Sequence, residues 1–510
     1  MTVERNGTAA EFRLDFGAGA FLLLVLVLQV AIYVTYPVSS AVAPEGADWF
    51  GWWDQGRYYE SAIALSEGDL TPERHWYSIG YALLGAPFAA ILPRHPFLPA
   101  NILATLVFAW AFLAYFRPLI GYWPSVLAFL AALLLPPVIW MPWQVVLPFW
   151  LQFVIPWNTI PVAAAFMTIL LLMRGLGDHP GRRRDVVLGL CAGLIAVTRP
   201  VDLLPLVPVV GVYVWQRLVV DRRWLNVAAG LLGSIAVVGP VLVLTFSIYG
   251  GLLSPYQTMS AEVGMSPASI PYRALATLLD SATFGISHSL FDVAPLLFLA
   301  APLALVWAVL DRRNGLLPVT VALVAIATYL SYNDFSPLNI FRFFLVHYIV
   351  WTFPIFVAGG VAGLLLLVRA RRWAALAACG VLVPVLLASL TLSERGVPDA
   401  RIAIRDQGED QVLYTLALDS PRKVHAVDFA RARTPSDSGL PLEEFDVRVD
   451  GVPLLLFKGY RAIAIQNGVR FLFTRPVTAE RIEIALGGTI ANKPAVEGRV
   501  RAVAFRPALK

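Results

Sequence analysis

The chain has 510 residues, 58% of them apolar and only 14% charged, with a formal net charge of +5. Soluble globular chains carry about 25% charged residues, so this composition excludes a wholly soluble protein. The positive charge sits in short loops between apolar blocks rather than in one basic patch, which gives no signal for nucleic acid as a partner. Cys191 and Cys379 both lie within apolar blocks, so no disulfide or zinc framework is available.

Taken in chain order, Arg5 and Arg13 precede the apolar run Phe21–Tyr36. No small-x-small cleavage site follows before Trp49, so the run reads as a retained first span. Arginines then cluster at Arg174 with Arg182–Arg184, at Arg217 with Arg222–Arg223, at Arg312–Arg313, and at Arg369 with Arg371–Arg372. The positive-inside rule makes these loops cytoplasmic. Working outward from them predicts about eleven spans, near residues 21–37, 98–116, 122–139, 159–173, 186–198, 203–216, 226–249, 293–310, 316–331, 343–367 and 374–391. The N-terminus then lies inside, and everything beyond residue 392 lies outside a multi-pass membrane protein, read as one of a bacterial inner (plasma) membrane. Residues 78–92 are apolar but short and are interrupted by Pro87, and they read as a helix at the outer membrane face. If 78–92 and 141–157 both crossed, the count would be thirteen.

Four outer segments result, at 38–97, 140–158, 250–292 and 332–342. The first is rich in ionisable residues, including Asp54, Arg57, Glu60, Glu67, Asp69, Glu73, Arg74 and His75. Ionisable groups at a membrane face are costly to keep, and each is a functional candidate. Residues 55–67 read as an amphipathic helix on which Arg57 and Glu60 can pair at the surface. Tryptophans in these segments, such as Trp140, Trp143, Trp150 and Trp157, read as interfacial anchors. The third segment holds Pro255, Tyr256, Arg273 and His288. His75 and His288 are too dispersed for a metal site. A divalent metal is compatible with the chemistry below, but the sequence does not indicate one.

Beyond residue 392 the composition changes, and nearly half of all charged residues lie there. Period-two runs occur at Phe445-Asp446-Val447-Arg448-Val449-Asp450, at Arg481-Ile482-Glu483-Ile484-Ala485-Leu486 and at Arg501-Ala502-Val503-Ala504-Phe505, separated by Asp450-Gly451, Asn467-Gly468 and Gly487-Gly488. Such alternation predicts antiparallel strands with one buried face. The fold expected is therefore a polytopic α-helical membrane domain over 1–392, followed by a soluble extracytoplasmic β-sandwich over 393–510. The tail resembles galactose-binding-like or carbohydrate-binding jelly rolls.

The first outer segment reads Trp53-Asp54-Gln55-Gly56-Arg57-Tyr58-Tyr59-Glu60-Ser61-Ala62-Ile63-Ala64, then Trp76-Tyr77-Ser78-Ile79-Gly80-Tyr81-Ala82-Leu83-Leu84-Gly85-Ala86-Pro87-Phe88. It resembles the first outer loop of GT-C-type glycosyltransferases that use polyprenyl-phosphate sugars, among them the protein O-mannosyltransferases and the aminoarabinose and galacturonate transferases of lipid A and lipopolysaccharide core. Ala196-Val197-Thr198-Arg199-Pro200-Val201-Asp202-Leu203-Leu204 is similar to that family's Thr-Arg-Pro turn, and Phe341-Arg342-Phe343-Phe344 to its Arg-Tyr-Phe-like start of a late span. Three departures stand out: Ser78 replaces a usual proline, the lysine of the aminoarabinose branch is missing, and Asn158 stands where relatives often have an acidic residue.

The resemblance implies transfer of a sugar from a polyprenyl-phosphate donor to a glycan, lipid or protein acceptor on the outer face, through a mechanism of inverting type. It implies Asp54 as general base, with Arg199 and Arg342 at span ends where they can reach the lipid phosphate. Arg57, Tyr58, Glu60, Tyr77, Asp202 and His347 complete the expected substrate-binding set. Asp202 also reads as a partner of Arg199 in a tight turn, and His347 as a structural hydrogen-bonding group. Two other classes stay open, a transporter or flippase of an envelope lipid and a non-catalytic glycan-binding membrane protein. Transporters gather polar residues at broken helices near the midplane, whereas here they gather at one face.

The topology makes a direct prediction. A reporter active only outside the cytoplasm should be active when fused after residue 392 and silent when fused at Gly181; the reverse pattern would overturn the map.

Overall fold

The computed structural model describes residues 15–35, 53–135, 137–140, 145–174, 176, 181–274, 278, 290, 294–332, 346–370, 392–396, 400–406, 411–430, 445–454, 460–465, 468–487 and 499–507. The chain divides into two compact units. The first comprises Met1–Ala261, Leu296–Thr328 and His347–Cys379, and the second Glu262–Pro295, Tyr329–Val346 and Gly380–Lys510.

The first unit is helical. Its chain begins with α1 (Phe16–Thr35), α2 (Trp53–Glu67), α3 (Ile79–Ala89), α4 (Leu98–Ile120) and α5 (Tyr122–Leu134). A hairpin of β1 (Pro137–Trp140) and β2 (Val145–Pro148) and the short α6 (Leu151–Val154) follow. Then come α7 (Thr159–Arg174), α8 (Arg182–Thr198), α9 (Leu203–Val214) and α10 (Trp224–Tyr249). Pro255–Val263, Pro295–Leu310, Arg312–Ser331, Val346–Ile349 and Phe353–Arg369 are also α-helical. Among the described residues, six helices are long and apolar enough to cross a membrane: Phe16–Thr35, Leu98–Ile120, Pro200–Val220, Trp224–Tyr249, Arg312–Ser331 and His347–Arg369. Large apolar side chains such as Leu231, Leu232 and Val243 remain exposed on them, which suits a lipid solvent and not water. The chain is an integral membrane protein.

One sequence expectation changes. The span read over 122–139 ends as a helix at Leu134, and residues from Pro137 onward form the hairpin. Pro136 and Pro137 explain the stop, because proline lacks the amide hydrogen and disfavours helix before it. The stretch 141–157 therefore contributes β2 and the four-residue α6, not a crossing helix, within its described part. The helix α3, eleven residues long, measures only about 16 Å at 1.5 Å per residue. It does not reach across a core of about 30 Å. The predicted span at 374–391 lies outside the described residues.

One end of the helical unit is held by arginines. Arg117 pairs with Asp15, and Asp15 also accepts from the Ala18 amide in the first turn of α1. Arg174 donates to Asn314 Oδ1 at 3.1 Å and to the Tyr115 carbonyl. Arg217 is fully buried on a π-helical turn at Trp215–Val220. It makes a two-pronged contact with Asp185, at 2.9 and 3.3 Å, and reaches Asp221 at 2.7 Å and the Leu176 carbonyl at 3.1 Å. Asn226 occupies the same Asp185 carboxylate at 2.6 Å. Along the adjoining helices α8 and α10 the backbones nearly touch: a Cβ on Gly189 would lie 1.8 Å from the Gly230 carbonyl oxygen. Only glycine allows that approach.

The strands of the second unit are β3 (Leu392–Gly396), β4 (Ala400–Asp406), β5 (Gln411–Ala430), β6 (Phe445–Val449), β7 (Val452–Leu454), β8 (Tyr460–Ile465), β9 (Gly468–Gly487) and β10 (Arg499–Pro507). All pairings are antiparallel. The strands β5 and β9, twenty residues each, run alongside one another with register breaks at Ala417/Arg422 and Val424/Ala426. Beyond the first break β5 leaves β4 and pairs with β10, while β9 pairs with β8 at one end and β6 at the other. The two register breaks fall at Pro421 and at Pro476, which bring no amide hydrogen to the ladder. Tyr414, Leu416 and Leu418 are buried at alternate positions, as are Ile482 and Ile484, and Val447 and Val449. Asp450 and Gly451, both at positive φ, form the tight β6–β7 turn.

At the centre of this sheet Asp428 and Arg470 face each other across β5 and β9. Both are buried, and they pair through two bonds of 2.6 and 3.0 Å. Breaking a buried pair strands a charge and typically costs about 3–5 kcal/mol, whereas an apolar pair of similar volume is close to neutral. D428A should therefore lower the melting temperature of the full-length protein clearly, and the double variant D428L/R470M should recover most of the loss. Equal losses in both would show that the pair itself stabilises the sheet.

Candidate functional site

At the end of the helical unit opposite the arginines, several chain segments converge. The amphipathic α2 enters with Asp54 in its first turn. Tyr58, one turn further, is buried and stacks on Tyr77 at 4.7 Å between ring centroids. The Tyr77 hydroxyl donates to Asp54 Oδ1 at 2.6 Å. On its other side the Tyr77 ring meets Tyr256 at 4.6 Å, and its carbonyl accepts from the Tyr249 hydroxyl at 3.1 Å. Tyr81 packs edge-on to Tyr58 and donates to Asn101 at 3.1 Å, and Asn101 in turn donates to the Ile155 carbonyl. The helix α3 reaches α8 so closely here that a Cβ on Gly80 would lie 2.3 Å from the Val197 carbonyl oxygen.

The segment Trp157-Asn158-Thr159 ties these walls together. Asn158 Nδ2 donates both to the Tyr58 hydroxyl at 3.0 Å and to the Thr198 carbonyl at 3.2 Å. Thr159 Oγ1 donates to the His347 carbonyl at 2.7 Å and accepts from Arg199 at 3.3 Å. Trp157 stacks on the His347 ring at 4.1 Å. Arg199 sits in the turn after α8, 4% exposed, with Nε 3.0 Å from Asp202 and Nη2 donating to the Tyr348 carbonyl. Its guanidinium also lies over the Tyr348 ring.

The electrostatics follow from burial. The Tyr58 and Tyr77 hydroxyls are pushed well above the usual phenol range, first by desolvation and next by the negative charge of Asp54. Both stay protonated, so Tyr77 is a fixed donor to Asp54. The positive field of Arg199 acts on Tyr58 in the opposite sense.

Asp54, Tyr58, Tyr77, Arg199, Asp202 and His347 are thus linked in one network. Arg57 and Glu60 instead pair with each other at 2.8 Å on the exposed face of α2. Arg342 lies outside the described residues. Asn158 was legible only as a departure from an acidic pattern, yet it connects three walls. Tyr256 carried no signal beyond its place in the third outer segment, and Tyr249 none beyond its place at the end of the span read over 226–249. Among the described residues no group of three or more His, Cys, Asp or Glu is arranged to hold a metal ion.

The loop between α2 and Tyr77 is fixed by His75, which is fully buried. Its Nδ1 lies 2.7 Å from Ser61 Oγ and its Nε2 3.0 Å from the Asp69 carbonyl. A neutral ring satisfies both, with Nε2–H donating and Nδ1 accepting. Arg74 bridges Glu67 and Asp69 at the surface.

No protein-family model matches this chain, and no curated protein matches it. Among solved structures it is similar to ArnT from Cupriavidus metallidurans bound to undecaprenyl phosphate, at 18% sequence identity and a TM-score of 0.44. That likeness covers 73% of this chain, which spans 66% of the ArnT chain, just under two thirds.

Burial holds His75 below its ordinary value. A depressed folded value means that the stabilisation is present above the unfolded value of about 6.5 and is lost as pH falls. Proteolytic nicking between Gly68 and His75 should rise from pH 7 to pH 5, and the rise should flatten in H75Q. An unchanged pH response in H75Q would place the titrating group elsewhere.

Proposed function

We propose that the protein is a membrane glycosyltransferase that moves a sugar from a polyprenyl-phosphate donor to an acceptor hydroxyl at the extracytoplasmic face. The observation that carries the reading is the convergence of Asp54, Tyr77, Tyr58, Asn158 and Arg199 from four separate stretches of chain. Their order along the sequence matches the motifs of the first outer loop and the Thr-Arg-Pro turn. In the proposed step the acceptor oxygen attacks the anomeric carbon and its proton passes to Asp54. The bond from that carbon to the phosphate oxygen breaks, and polyprenyl phosphate leaves with the electron pair, so the anomeric centre inverts. Tyr77 orients the carboxylate through its 2.6 Å bond. Arg199, held by Asp202, Thr159 and Tyr348, supplies fixed positive charge at the end of α8 without having to reorganise. Asp202 and His347 act as its setting. Arg342 belongs to the same proposal through its motif alone. The acceptor is an envelope glycan, lipid or protein.

The test is sugar transfer by purified protein in nanodiscs. D54N keeps the shape and removes the base, and general-base catalysis is typically worth about 10²–10⁴ in rate. D54N should lose at least that lower factor while the protein stays folded. Y77F should lose less, and E60Q least. Near-normal transfer by D54N together with loss in E60Q would move the catalytic carboxylate along α2.

A further inference from the structure

In a low-dielectric site the direction of one hydrogen bond decides which groups are left to meet a ligand. Asn158 Nδ2 donates to the Tyr58 hydroxyl at 3.0 Å and to the Thr198 carbonyl at 3.2 Å. The second contact fixes the amide. A backbone carbonyl only accepts, so the nitrogen of Asn158, and not its oxygen, must face Thr198. Both hydrogens of Nδ2 are then spent, and the Tyr58 oxygen is an acceptor. The Tyr58 proton must point elsewhere. Among the described residues nothing accepts it, and nothing donates to Asn158 Oδ1.

The Tyr58 ring itself is fixed. Tyr77 stacks on it at 4.7 Å between centroids, and Tyr81 meets it edge-on at 5.0 Å. Tyr77 in turn bonds Asp54 at 2.6 Å. The negative charge of Asp54 and the positive charge of Arg199 both act on the Tyr58 hydroxyl, in opposite senses, so it lies within the field of each. With its ring pinned and its oxygen taken by Asn158, this phenol has one aimed proton to offer.

Resting on the transferase reading above, we propose that Asn158 is a positioning residue that holds the Tyr58 hydroxyl as a hydrogen-bond donor to an oxygen of the bound polyprenyl-phosphate sugar. The carboxamide is what sets this direction. A carboxylate at the same place accepts where Asn158 donates. It would take the Tyr58 proton for itself and leave the Thr198 carbonyl without a donor. The departure from an acidic pattern at Asn158 therefore reverses the Tyr58 bond and frees its proton for the substrate.

The experiment uses full-length protein in nanodiscs, an envelope extract as acceptor, and three synthetic polyprenyl-phosphate donors carrying a neutral hexose, a uronic acid and an amino sugar. Release of polyprenyl phosphate is followed, and the variants are compared on the donor that the unaltered protein uses best. Y58F keeps the ring and removes the proton, and it should lose at least about tenfold in kcat/KM. N158L and N158D should each lose as much at pH 7.5 in the unaltered background. In the Y58F background each should cost less than about twofold more, because Asn158 acts through the hydroxyl that Y58F lacks. The ratio of N158D to unaltered activity should rise from pH 8 to pH 5.5, since only a protonated carboxyl can donate to the Thr198 carbonyl. A purely structural Asn158 would give equal losses in both backgrounds, and that result overturns the inference. So does full transfer by Y58F, or a gain in transfer by N158D; each leaves the transferase reading intact. Y58F leaves position 158 untouched, so its result decides where the Asn158 variants fail to fold. If the unaltered protein uses none of the three donors, the transferase reading falls and this inference with it.

Discussion

The bond pair made by Asn158 Nδ2, one to the Tyr58 hydroxyl and one to the Thr198 carbonyl, is the contact on which the candidate site depends. Tyr58 belongs to an interfacial helix, Asn158 to the entrance of α7 and Thr198 to the last turn of α8. In a low-dielectric setting each of these polar groups must find a partner inside the protein. A single amide nitrogen with two hydrogens meets that demand for two walls at once. Thr159, the next residue, extends the tie to His347 and Arg199. The lateral position of the Asp54–Tyr77 pair relative to Arg199 follows from these few bonds.

The opposite end shows the same constraint solved differently. There Arg217 meets Asp185 and Asp221 in full burial, and Arg174 and Arg117 close the remaining helix ends. There the arginines are met by carboxylates, by Asn314 and by backbone carbonyls. The candidate site is matched largely by neutral groups, with some left over.

The architecture was legible where the signal was periodic or charged. Arginine loops marked helix ends, and the alternation in Phe445–Val449 and Arg481–Leu486 marked strands that the sheet contains. Asp54, Tyr58 and Tyr77 were named through the resemblance of their segment to a family's first outer loop, and the structure brings the three side chains into contact. The first residues of the hairpin, Pro137–Ile139, were read as the end of the span over 122–139, since they continue its apolar run and two prolines were the sign against it. Gln55 was invisible for another reason. A glutamine beside an aspartate on an amphipathic helix reads as solvated surface, and only three-dimensional packing shows it at zero exposure.

Arg199 shows how a recognised motif differs from the geometry beneath it. The Thr-Arg-Pro turn suggests a cation that reaches out to a phosphate. The buried guanidinium instead bonds its own turn through Asp202 and two neighbouring walls through Thr159 and the Tyr348 carbonyl. Removing it would therefore leave Asp202 as a buried carboxylate without its cation, a change that costs stability as well as charge. Arg199→Ala alone thus mixes two effects. Arg199→Lys keeps the charge but loses the planar fork that serves three partners, which separates the field acting on the site from the geometry that holds it.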